Sequence, residues 1–181
     1  MNFVRKNLFV LLLFTLIGCG NSNNRKEEQV RSSQMSLERR IEINKKIVAH
    51  EQKVIHEYAE ENNLDMNTTK TGLWYKIIEQ GTGEYIKAGK VVSLKYEISL
   101  LDGTVCYSSE DDGLKFFLVG QGGVESGLEE GVLLLKKGGK ARFIMPPHLA
   151  HGLIGDGDQI PGRAILQYEV EIVDVKNKEE N

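Results

Sequence analysis

The chain has 181 residues, with 23 Lys and Arg against 26 Asp and Glu, a formal charge of -3 at neutral pH. So weakly acidic a chain offers no basic footprint for nucleic acid. Its four histidines, His50, His56, His148 and His151, lack metal-site spacing, and no catalytic triad or cofactor motif is present.

Arg5 and Lys6 precede a short apolar run, Leu8 to Ile17, and Gly18 and Cys19 follow at once. The run is too short to span a bilayer as a helix. A basic start, a short apolar stretch and a small residue at the cut describe a secretory signal peptide, residues 1–18. Leu16-Ile17-Gly18-Cys19 resembles a bacterial lipobox, which implies lipidation of Cys19 as the first residue of the mature chain; the alternative is an ordinary signal peptide with an incidental cysteine. Export would remove two basic residues and no acid, leaving 21 basic against 26 acidic side chains. Cys106 would then have no intrachain partner and is either buried or a reactive thiol. Its strand-like surroundings favour burial.

Residues 19–35 are polar and charged, with Val30 the only large apolar side chain before Met35. Such a segment buries too little surface to offset its ordering entropy and reads as a flexible tether. Ser36 to Asn63 carries helical period, with Leu37, Ile41, Val48, Ile55 and Tyr58 at three-, four- and seven-residue steps. Asn44 and Glu51 interrupt this stripe, and Asn62-Asn63 is a plausible stop. The helix is either a spacer packed on the following domain or half of a homodimer.

From Thr71 the period changes to two. Leu73, Tyr75 and Ile77 alternate with polar residues and predict a strand before the turn Gln80-Gly81-Thr82-Gly83. Val91 to Leu101 is a long strand, Asp102-Gly103 a hairpin turn and Thr104 to Ser109 the return. Lys115 to Val119 is a short strand, Val124 to Leu135 a helix, and Lys140 to Met145 and Ile165 to Val175 are the final strands. The prediction is an α+β domain over residues 71–177, five or six antiparallel strands around one short helix, preceded by the long helix.

Gly120 to Gly152 reads G-Q-G-G-V-E-S-G-L-E-E-G-V-L-L-L-K-K-G-G-K-A-R-F-I-M-P-P-H-L-A-H-G. Val124, Gly127, Leu128, Glu129, Glu130, Gly131 and Val132 fit a helix of the form V-I-x-G-W/L-E-E-G-L/V. Gly139, Lys140, Ala141, Pro147, Leu149, Ala150 and Gly152 fit the strand and loop G-x-K-A/R-x-x-x-I and P-x-x-L-A-Y-G. On these residues the chain resembles the FKBP-type peptidyl-prolyl isomerases. The resemblance implies a curved sheet wrapped on the short helix, and a reaction that needs no metal or cofactor, because rotation about X-Pro meets only the amide resonance barrier. Catalysis of this kind uses an apolar slot complementary to the twisted amide.

Carried over by position, the pocket comprises Tyr96, Tyr107, His151 and Tyr168 as catalytic residues, and Cys106, Phe117, Val124, Glu125, Leu128 and Ile160 as substrate-binding residues. Three places depart from the family pattern. Cys106-Tyr107-Ser108-Ser109 stands for F-D-S-S, His151 for a tyrosine, and Glu125 for an apolar residue. Tyr107 has the wrong parity for the vacant phenylalanine slot unless the strand bulges. The order of lipobox, tether, helix and domain, with C-Y-S-S and H-L-A-H-G-L-I-G-D-G-D-x-I-P, resembles the gliding-motility-associated FKBP-type lipoproteins of Bacteroidetes. The implied partners are proline-containing segments of exported proteins and a membrane reached through the lipid, at the outer membrane facing the periplasm. The alternative is a catalytically silent peptide-binding module of an envelope apparatus.

Overall fold

The computed structural model describes residues 22–178, so the expected signal peptide and Cys19 lie outside the described residues. It comprises two compact units, one ending at Asn44 and one starting at Lys45. Helix α1 spans Ser22–Glu61 and has residues in each. It starts well before Ser36, so residues 22–35, expected as a flexible tether, are helical. This stretch holds no glycine or proline and is rich in Lys, Glu, Gln and Arg, which favour helix. Extending an existing helix is far less costly than nucleating one. The predicted stop at Asn62-Asn63 has a defined geometry. Asn63 takes a left-handed φ of 53°, its N–H donates to Glu60 O, and Leu64 N–H donates to Ala59 O. This pair of bonds is a Schellman cap with asparagine in the usual glycine place.

In the second unit, Ile55 and Ala59, one turn apart, are buried. Gln52 accepts from Trp74 Nε1 at 2.7 Å and donates to Gly72 O at 3.1 Å. The strands are β1 (Asn67–Thr68), β2 (Trp74–Glu79), β3 (Thr82–Tyr85), β4 (Lys90–Leu100), β5 (Val105–Ser108), β6 (Lys115–Leu118), β7 (Lys136–Lys137), β8 (Lys140–Met145) and β9 (Leu166–Asn177). The main sheet is antiparallel and seven-stranded, in the order β1-β2-β8-β9-β4-β5. β6 pairs with Val91–Leu94 of β4 on the edge that β5 occupies further along. β3 and β7 form a separate ribbon. The strands beyond the predicted number are mostly two-residue pieces, too short to show alternation.

The concave face is filled by α3 (Ser126–Val132), whose Leu128 and Val132 are fully buried with Phe143, Met145, Leu166 and Tyr168. α3 is shorter than the predicted Val124–Leu135. Glu125 is extended, and after Val132 the chain tightens into i→i−3 bonds from Leu133, Leu134 and Leu135. Gly127 and Gly131 share one face of α3. A methyl group on Gly127 would meet Met145 Sδ at 2.8 Å, and one on Gly131 would meet Phe143 Cζ at 2.6 Å. The helix therefore reaches the sheet closely only because both are glycine. A second, unpredicted helix, α2 (Ser109–Asp112), is capped by Ser108 Oγ, which accepts from Glu110 N at 3.2 Å.

Candidate active site

β4 supplies one wall of a cleft. Leu94, Tyr96 and Ile98 point to the same face at two-residue spacing; Leu94 and Ile98 are buried, and Tyr96 stands half-exposed at the mouth. β5 supplies the next wall through a bulge. Ser99 pairs with Val105 and Ile98 with Tyr107, leaving Cys106 as the extra residue. Cys106 therefore turns into the core, its Sγ 3.8 Å from Gln159 O, while Tyr107 faces the cleft. Burial pushes the Cys106 thiol upward, with Asp156 and Asp102 adding to it, which keeps the group protonated.

The cleft has a volume of about 230 Å³ and is lined by Tyr96, Ile98, Tyr107, Lys115, Glu125, His151 and Asp156. Four are among the ten residues expected from the sequence: Tyr96, Tyr107, Glu125 and His151. The other six lie beneath or beside it. Phe117, Leu128, Ile160 and Tyr168 are buried in the core with Cys106, and Val124 packs half-buried against that core. Their roles remain those that the resemblance implies. Lys115, Ile98 and Asp156 were not anticipated. Lys115 and Ile98 had a signal, since each is two residues from an expected member, Phe117 and Tyr96. Asp156 sits in a glycine-rich loop where no periodicity exists to orient it.

The floor is charged. Glu125 Oε1 lies 3.1 Å from His151 Nε2 and 3.7 Å from Lys115 Nζ, with the Glu125 side chain nine-tenths buried. Burial is the largest influence on this carboxyl and opposes its charge. Lys115, its own backbone N–H, the Tyr168 hydroxyl and His151 together outweigh that and hold it below the usual carboxylate range. The Tyr168 hydroxyl is pushed upward by burial first and by Glu125 second. Neither Glu125 Oε2 nor Tyr168 Oη has a hydrogen bond of good geometry, so their proximity acts as a charge–dipole contact more than as a formed bond. Lys115 Nζ also sits 5.1 Å from the centroid of the Tyr96 ring, a cation–π arrangement.

Carboxylates hold the two tyrosines at the mouth. Tyr96 Oη donates to Asp112 Oδ2 at 3.3 Å, and Tyr107 Oη donates to Asp156 Oδ2 at 2.5 Å. Asp156 Oδ1 accepts from the N–H groups of Asp158 and Ile160, both at 2.9 Å. Asp156 is held down to about 2 by the Tyr107 bond first and the backbone donors next, and the same bond pushes Tyr107 up to about 12. A depressed carboxylate stabilises the fold above its ordinary 3.8 and loses that contribution as pH falls toward 2. A raised phenol contributes below its ordinary 10.0 and loses it toward pH 12. Tyr107→Phe should therefore be less stable than the parent by a constant margin between about pH 5 and 9, and the margin should shrink beyond either limit. Denaturation midpoints measured against pH check this, and a margin unchanged down to pH 3 would contradict it.

Among the described residues no group of three His, Cys, Asp or Glu side chains is placed to hold a metal ion. The profile of the FKBP-type peptidyl-prolyl cis-trans isomerases matches residues 83–173. The chain is 33% identical over 171 residues to a probable FKBP-type isomerase of Haemophilus influenzae, covering 89% of this chain and 69% of that one. It is 39% identical over 113 residues to the isomerase FkpA of Escherichia coli, covering 61% of this chain and 40% of that one. The crystal structure of Escherichia coli FkpA superposes with a TM-score of 0.62 at 31% identity, over 86% of this chain and 74% of that one. That of AtFKBP13 gives 0.59 at 27% identity, over 61% of this chain and 98% of that one. The sheet wrapped on α3, the cleft above it and these matches agree: the chain belongs to the FKBP-type peptidyl-prolyl cis-trans isomerase family.

Proposed function

We propose that the chain speeds cis–trans isomerisation of X-Pro bonds in exported proteins while held to the bacterial envelope by a lipid on Cys19. The observation that carries the reading is the cleft walled by Tyr96, Ile98 and Tyr107, set against the apolar core, in a chain of this family. The uncatalysed rotation faces about 18–20 kcal/mol of amide resonance. A proline ring seated against Tyr96, Ile98 and Tyr107 loses the water that stabilises the planar, polar amide, and the slot favours the twisted form. His151 is the hydrogen-bonding group beside it. Its Nε2 faces Glu125. A neutral ring giving that proton to Glu125 offers only an acceptor at Nδ1, whereas the protonated ring donates from both nitrogens.

Support for the envelope comes from the lipobox-like Leu16-Ile17-Gly18-Cys19. Among the described residues no helix is long and apolar enough to cross a membrane. The C-Y-S-S and H-L-A-H-G-L-I-G-D-G-D fragments support a role with the gliding-motility lipoproteins of Bacteroidetes, at the outer membrane facing the periplasm. Leu37, Ile41 and Val48, exposed along α1, suit pairing with a second copy through Ser36–Asn63, which sedimentation would read as a dimer. Metabolic labelling with palmitate, abolished by Cys19→Ser, tests the anchor.

A second reading is a peptide-binding module with little catalysis. It is favoured by the charged floor of Glu125, Lys115 and His151. A lost charge-assisted hydrogen bond costs roughly 1.5–3 kcal/mol, or about ten- to a hundred-fold in rate. Restoring the family residues by Cys106→Phe and Tyr107→Asp separates the readings. Asp156→Asn must accompany them, because Tyr107→Asp alone would set two carboxylates together. Activity appearing only in the triple variant supports the silent module; activity in the parent supports the enzyme.

A further inference from the structure

We propose that Glu51 and Arg163 are positioning residues of the cleft: α1 braces, through this ion pair, the loop that carries Asp156. Residues 152–163 form a self-closed loop. Arg163 N–H donates to Gly152 O at 2.9 Å across its base, and Asp156 N–H donates to Ile160 O at 3.2 Å further out. The two sides approach so closely that a methyl group on Gly162 would lie 2.4 Å from Leu153 O, and one on Gly155 2.1 Å from Ile160 O. The loop therefore moves as one piece. Its near end adjoins His151, its middle holds Tyr107 through Asp156, and Leu153 and Ile154 stand exposed at its outer side.

Buried Ile160 and the Tyr107–Asp156 bond tie this loop to the sheet on one side, and α1 meets its base on the other. Among the described residues, the ion pair from 152–163 to another element is Arg163 Nη2 to Glu51 Oε1 at 3.3 Å. Glu51 is one of the two polar residues that interrupt the apolar stripe of α1, and its side chain is only 12% exposed. An acid in a half-buried stripe is costly unless paired, so the interruption has a physical purpose at this contact. Arg163 itself adopts a left-handed φ of 63°, which a non-glycine residue rarely takes. That conformation turns its side chain to α1 while its N–H closes the loop. A neighbouring contact fixes α1 close to the same loop: Tyr58 Oη donates to Gln167 Oε1 at 3.4 Å. A shift of α1 is thereby transmitted to Asp156 and Tyr107.

The test uses the full chain in mild detergent, with Glu51→Gln, Arg163→Gln, both together, and the swapped pair Glu51→Arg with Arg163→Glu. Lys53→Ala, on the exposed side of the same helix, is the control. Amide hydrogen exchange at residues 156–163 should speed up about five-fold in either single variant, no further in the double, and return toward the parent in the swap. Exchange in β4 and β9 should stay unchanged. The value of kcat/KM on a prolyl peptide should fall by about the same factor, with the same rescue. Exchange reports the brace whether or not the chain is active, so only the kinetic arm rests on the isomerase reading. Loop exchange equal to the parent in both single variants, additive losses in the double, or no recovery in the swap would each overturn the proposal.

Discussion

Replacing Gly131 by alanine should destabilise the chain by about 2 kcal/mol, even though alanine is the better helix former. Alanine in a helix interior gains about 1 kcal/mol over glycine. Opposing this, the new methyl would lie 2.6, 2.7 and 2.9 Å from Cζ, Cε2 and Cε1 of Phe143. Phe143 is fully buried, and flipping its ring exchanges equivalent atoms without making room. The overlap can be relieved only by moving α3 off β8, and forced overpacking of this kind costs up to about 3 kcal/mol or somewhat more. Because Glu125 precedes α3 directly, the same movement should widen the cleft. Phe143→Leu in the Gly131→Ala background should recover part of the loss, although Phe143→Leu alone is destabilising. Chemical denaturation of the four proteins measures this, and a Gly131→Ala variant as stable as the parent would show that α3 does not pack as described.

Glu125→Ala should cost about 2–3 kcal/mol, and the cost should depend on what replaces the carboxylate. Removing one partner of a buried ion pair costs about 3–5 kcal/mol, because the other charge is stranded. Lys115 and His151 are each about a quarter exposed and can turn to water, which lowers the expectation. The Tyr168 hydroxyl cannot, being buried without another partner. Glu125→Leu should therefore cost less than Glu125→Ala, since it fills the space. Adding Tyr168→Phe to Glu125→Leu should regain further stability by removing the stranded hydroxyl, since apolar replacement of a whole buried polar cluster is often neutral or stabilising. If Tyr168→Phe instead destabilises the Glu125→Leu protein, the Tyr168 hydroxyl has a partner other than Glu125.

How much of this was legible in the sequence depended on the kind of signal. The α+β architecture was, because alternation marks β4 and β9 and the glycine-spaced V-E-S-G-L-E-E-G-V run marks α3. The start of α1 was not: residues 22–35 have no apolar period, and their helix rests on propensity and continuity, which a search for buried faces misses. Within the site, the family resemblance named Tyr96 and Tyr107, and the parity of Tyr107 left open whether the strand bulges, which it does. Cys106 is the residue that bulge turns inward. What composition and period cannot reveal is a contact between segments distant in the chain. Asp156 on Tyr107, and Glu51 on Arg163, each join residues separated by dozens of positions. The placement of Phe117, Leu128 and Tyr168 beneath the cleft surface belongs to the same class, since pattern shows which face is inward and not how deep it lies.

The most direct test of the account is the isomerisation rate of a short X-Pro peptide with the chain from residue 20 onward, followed without reliance on a client protein. The account predicts a rate above the uncatalysed one that scales with protein concentration and is lost on Tyr96→Ala with the fold retained. A rate no greater than that of the heat-denatured protein, with the native fold verified in the same sample, would contradict it.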